Sequence, residues 1–244
     1  VVSGSAALFT AARSKARLRF HELPSSDGCA GLRRIAHFAI VRTMRWPLVG
    51  FAYLVLCAGA LVAASWRGVS PWIHPHPVLT FDSPSAQLIY SGLLGVAVAG
   101  LVVMTTRLLV GRVAIATRFH CELRPLTYKM SNGAIVTLAA SSALGEELLF
   151  RGLLQPWIGI VLQSLIFGSL HQMRGPSRWV WVASATLMGI ILGAMYACTG
   201  SLVGPLLAHA LINAFNLMHL RDFDPQKEPR RLGGLLSLDG HRNR

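Results

Sequence analysis

Acidic residues are scarce in this chain. Its 244 residues hold 10 Asp and Glu against 23 Lys and Arg, and charged residues of both signs make up 14%. An average soluble domain carries about 25% charged residues. A soluble domain with an apolar fraction of 53% would lack the polar coat it needs, so lipid must do part of the solvating. The charge surplus gives a net +13. In a soluble protein that balance points to nucleic acid. Here the Lys and Arg residues lie between and outside long apolar runs, which rules nucleic acid out as the partner and names the lipid bilayer instead. Cysteine is also sparse: Cys29, Cys57, Cys121 and Cys198, with no C-x-x-C pair. That excludes a zinc knuckle or a disulfide framework and reads as four reduced structural thiols. There is no H-E-x-x-H string, and no long repeat of the kind a duplicated transporter carries.

What the chain does have is apolar length. Six runs stand out: Pro47–Ser65, Ala86–Val110, Gly133–Leu154, Trp157–His171, Trp179–Cys198 and Ser201–Leu220. A helix needs about 20 residues, at a rise of about 1.5 Å each, to cross a hydrocarbon core of about 30 Å. The fourth run is short for that. The expected fold is all-α: a polytopic transmembrane bundle of about six spans. The basic segment 1–45 precedes it, with Arg33, Arg34, Arg42 and Arg45 mixed among apolar residues over Leu32–Trp46. That mixture predicts an amphipathic helix lying on the membrane surface. The expected divisions are this segment, a transmembrane domain over 46–220 with its catalytic core at about 133–217, and a loose tail over 221–244. Basic residues fix the orientation. Arg112, Arg118, Arg124 and Lys129, then Arg174 and Arg178, then the tail all fall on the N-terminal side of a six-span chain, while the other side shows Arg67. The expectation is a multi-pass protein of the cell (inner) membrane with both termini in the cytoplasm.

A charged side chain at mid-bilayer costs about 2.5–3.5 kcal/mol on insertion scales, so such groups usually have a task and a partner. Glu146, Glu147 and Arg151 lie in the third run, His171 ends the fourth, and His209 and Asn213 lie in the sixth. Glu147 and Arg151 are four apart and share a helical face, so they can pair. Glu146 is turned about 100° away and is left available. Phe167 and His171 form another such stripe, and His209 and Asn213 a third. Three helices can thus bring a carboxylate, two imidazoles and an amide to one cavity. A carboxylate can take a proton from water, a histidine can orient that water, and imidazole and amide N–H groups can hold an oxyanion. The counting leaves one conflict. Glu146 is about 20 Å up its helix from the inner end, while His171 is near the inner end of its own, so an upright bundle would separate them.

Glu146-Glu147-x-x-x-Arg151, Phe167-x-x-x-His171 and His209-x-x-x-Asn213 resemble the three motifs of the CAAX protease and bacteriocin-processing (CPBP, or Abi) family. The resemblance covers about Gly133 to Asn216, and the string from Glu146 to Gly152 is its most specific part. It implies an intramembrane glutamic endopeptidase that needs no cofactor and acts on a membrane-associated protein or peptide. By matching positions, Glu146 and His171 would activate water, His209 and Asn213 would form the oxyanion hole, and Glu147, Arg151 and Phe167 would support the site. Two other readings stay open. Glu146, His171 and His209 could supply a His₂Glu zinc set, giving a zinc-dependent membrane protease. The same polar groups could instead hold together a non-catalytic scaffold or immunity protein. Elsewhere, His74-Pro75-His76-Pro77 reads as a turn rather than a metal site, and Gly189-x-x-x-Gly193 as a close helix contact.

Overall fold

The structure, a computed structural model, describes residues 46–225. The basic segment 1–45, the surface helix expected there, and the tail from residue 226 onward lie outside the described residues. The described chain is helical: α1 Trp46–Trp66, α2 Pro84–Leu109, α3 Ala114–Leu123, α4 Asn132–Glu147 continuing as a π-helical segment Leu148–Leu154, α5 Gln155–Leu170, α6 Arg178–Thr199 and α7 Val203–Asp222. Each expected run coincides with a helix to within a few residues. The lengths follow from punctuation in the sequence. Ser83 and Ser131 cap the first turns of α2 and α4 by accepting from the Ala86 and Ala134 N–H groups, and Gly200 ends α6 in a left-handed conformation.

These helices are apolar all round rather than on one stripe. Leu54, Leu101, Val161, Leu165 and Leu170 stand exposed on the outside of the bundle, while small or medium residues such as Ala99, Leu192, Met195 and Ala208 form its core. An apolar exterior is what a lipid-facing surface requires. Among the described residues, five helical stretches are long and apolar enough to span a membrane, and the third of them extends from Asn132 to Leu170. This is a multi-pass membrane protein.

That 39-residue stretch is not one straight helix. Gly159 interrupts it with φ 80° and ψ 169°, a conformation open in practice to glycine. The chain reverses there. Phe150 and Phe167 meet with ring centroids 4.9 Å apart, whereas in a straight helix they would be separated by about 25 Å. The expected break between Leu154 and Trp157 therefore falls a few residues later, because Pro156 is tolerated in a first helical turn and Gly159 supplies the reversal.

Gly189 backs onto Ser164, where a Cβ would come within 2.9 Å of the Ser164 Cβ, so the expected close helix contact joins α6 to α5. At one end of the bundle, His74 N–H donates to Gly200 O and Leu202 N–H to Trp72 O, which pins the 67–83 connection across the α6–α7 turn. His76 N–H donates to His74 Nδ1, the turn expected of that His-Pro pair. On the opposite side the start of the tail is not loose. Asp224 is buried and pairs with Arg124 at 3.0 Å, and Arg221 donates to Met130 O, because three cationic or carbonyl partners converge where α7 ends. Cys57 and Cys198 are free thiols, but Cys121 is disulfide-bonded, against the expectation that all four are reduced.

Candidate active site

The fold-back at Gly159 removes the conflict over depth. Glu146 lies 13 residues before the turn and His171 12 residues after it, so both side chains sit at one level. Their nearest atoms, Glu146 Oε2 and His171 Nε2, are 3.8 Å apart. α7 runs antiparallel to α4 and completes the set. His209 Nε2 lies 3.7 Å from the same Glu146 oxygen, and one turn further along Asn213 Nδ2 donates to Ser142 Oγ at 3.3 Å.

Hydrogen bonds behind the two imidazoles fix their tautomers. His171 Nδ1 is 2.7 Å from the Phe167 carbonyl, which can only accept, so Nδ1 carries the proton and Nε2 faces Glu146 bare when the ring is neutral. His209 Nδ1 donates to Glu147 Oε1 at 2.7 Å, and its Nε2 likewise faces Glu146 Oε2. Glu147 Oε1 also accepts from Arg151 at 2.8 Å, and both of these side chains are fully buried. The expected ion pair is present, and it also orients His209. Phe167 closes the back of the site: the Arg151 guanidinium lies 4.6 Å over its ring, and the His171 ring is 4.4 Å away.

Sequence reasoning missed two contacts. Tyr53 in α1 donates from its hydroxyl to Glu146 Oε1 at 3.1 Å. Ser142 anchors Asn213. A tyrosine in an otherwise apolar run, and a serine one turn before Glu146 on the same face, were the available signals. Among the described residues, no three His, Cys, Asp or Glu side chains are grouped so as to hold a metal ion.

The decisive atom is Glu146 Oε2. It is buried and has no hydrogen-bond partner, while both Nε2 atoms lie just beyond direct hydrogen-bonding range. A water admitted to this oxygen would find a carboxylate and a bare Nε2 to donate to.

Residues 130–215 match the family model described as "Type II CAAX prenyl endopeptidase Rce1-like". That stretch is similar to the CPBP family. It carries α4 to α6 and α7 as far as residue 215, and so all three motif pairs, whereas α1, α2 and α3 lie before it. Over 93 residues the chain is 41% identical to the uncharacterized protein YpbD of Bacillus subtilis (strain 168). That alignment covers 38% of this chain and 49% of YpbD, so the chain spans about half the length of the curated relative it matches. No solved structure matches.

Proposed function

We propose that this CPBP-like protein is an intramembrane endopeptidase that hydrolyses a peptide bond of a membrane-associated protein or peptide. The observation that carries the reading is the unpartnered Glu146 Oε2, facing the Nε2 atoms of His171 and His209. Glu146 is the general base. It takes a proton from water held between itself and His171, and the hydroxide oxygen bonds to the carbonyl carbon. The carbonyl π pair moves to oxygen. With a proton on Nε2, His209 donates to that oxyanion, as does the second N–H of Asn213. When the intermediate collapses, the C–N bond breaks and the proton held by Glu146 passes to the leaving amine. The family supports the protease class, and the division of labour among these residues is the proposal.

Access fits a membrane-associated substrate. His171 is more exposed than Glu146, Glu147 and His209, and two residues beyond it an open cleft of about 480 Å³ is lined by Met173, Arg174, Arg178 and Trp179. With both termini in the cytoplasm of a cell-membrane protein, this cleft opens on the cytoplasmic face. The test is to compare membrane proteins in cells carrying wild-type or Glu146→Gln protein at equal abundance. Unprocessed forms should accumulate with the variant. Identical protein profiles would remove the endopeptidase reading and favour a scaffold.

A further inference from the structure

The candidate base has a partner on a helix that the family match does not reach. α1 turns a single stripe inward: Tyr53, Leu56, Cys57, Ala60 and Ala64, at helical spacing. Phe51, Leu54, Val55 and Val62, off this stripe, are apolar and exposed. The stripe seats against α4 at Gly145, where a Cβ would come within 3.2 Å of Leu56 Cδ2 and 3.3 Å of Tyr53 Cδ1. That close approach, one residue before the candidate base, brings the Tyr53 hydroxyl to Glu146 Oε1 at 3.1 Å.

Packing alone does not account for the hydroxyl. A phenylalanine ring would fill the same space against Leu56 and Gly145, without a polar atom to satisfy inside a bilayer. The hydroxyl instead makes the two carboxylate oxygens unequal. Oε1 is held by Tyr53, and Oε2 is left without a partner between the two imidazoles. The terminal torsion of a glutamate is broad and roughly two-fold, so nothing intrinsic to Glu146 keeps Oε2 aimed at the cavity. Glu147 Oε1 is committed to Arg151 and His209, so this neighbour does not hold Glu146 in place.

We propose that Tyr53 is a positioning residue for the hydrolytic reaction: it clamps Glu146 Oε1 so that Oε2 presents to the water between His171 and His209. The inference rests on Glu146 being the base. It makes the first helix, outside the matched segment, part of the working site.

The test is a double-mutant cycle on purified full-length protein in detergent, using a peptide whose processing depends on Glu146. Tyr53→Phe keeps the ring and should leave melting temperature and KM unchanged. Its kcat should fall about 10–100-fold, the effect of losing one hydrogen bond to a charged group whose placement matters in the transition state. In a Glu146→Gln background the same substitution should change the residual rate no further, because coupled groups are non-additive. Leu56→Ala, on the same stripe but without a polar contact, should lower the melting temperature and spare kcat. An inactive Glu146→Gln together with a fully active Tyr53→Phe overturns the Tyr53 assignment alone. Full activity of Glu146→Gln overturns the base and, with it, this inference.

Discussion

Arg151→Ala is the most informative stability experiment the site offers. The guanidinium is fully buried, donates to Glu147 Oε1 at 2.8 Å, and lies over the Phe167 ring. Removing it leaves the Glu147 carboxylate in a dry interior with only His209 as partner. Breaking a buried pair from one side typically costs about 3–5 kcal/mol. For a domain of about this size, 1 kcal/mol moves the melting temperature by about 2–4 °C, so a fall on the order of 10 °C is expected. Tryptophan fluorescence during thermal unfolding in detergent would read it. The charge-swapped double variant should not recover, although exchanging a simple pair would. An arginine at position 147 would face His209 Nδ1, which donates and needs an acceptor. A wild-type melting temperature for Arg151→Ala, or full rescue by the swap, would refute the view that Glu147 serves two partners.

Asn213→Ala should lower kcat by about 10²–10³ with little change in KM, as loss of an oxyanion donor does; a raised KM at constant kcat in steady-state assays would make Asn213 a substrate-binding group. Single cysteines near Ser14 and Gly234, in a cysteine-free background, should resist membrane-impermeant thiol reagents in intact cells while one near Pro75 reacts. Labelling at Gly234 would overturn the orientation. His120 is buried against the tail, with Nε2 3.1 Å from Phe223 O. Burial pushes its pKa below the usual histidine value; the Phe223 bond raises it, nearby Arg124 lowers it and Asp224 raises it. A folded value below the unfolded one means stability that is present above about pH 6.5 and lost as pH falls through the folded value. The melting temperature of the wild type should therefore drop more between pH 7.5 and 5 than that of His120→Phe, and parallel pH curves would contradict this.

The sequence makes the helices legible because bilayer thickness imposes length, and lipid imposes apolarity on every face. The same logic isolates Glu146, Glu147, Arg151, His171, His209 and Asn213, since each is costly where it sits. Pairing within one helix, as in Glu147–Arg151, follows from spacing. Pairing between helices does not: His209 with Glu147, Asn213 with Ser142 and Tyr53 with Glu146 depend on rotation about each helix axis, which no periodicity fixes when the helices are apolar all round. The depth conflict had the same origin. The third and fourth runs were counted from their inner ends, but level is set by distance from the turn, and the turn is at Gly159. Asp224 was misjudged because its partner, Arg124, is remote in sequence and adjacent only once α3 and α7 are placed.

The central claim is that Glu146 Oε2 holds and deprotonates the hydrolytic water. The direct measurement is the single-turnover rate of peptide cleavage by purified wild-type and Glu146→Gln protein, each before and after thorough chelation. The account predicts that the folded variant is slower by at least about 10²–10⁴, the range for a lost general base, and that chelation leaves the wild-type rate unchanged. A Glu146→Gln protein that cleaves at the wild-type rate would contradict the account. So would one zinc per chain by elemental analysis, lost together with activity and restored with it, since the metal would then be what activates the water.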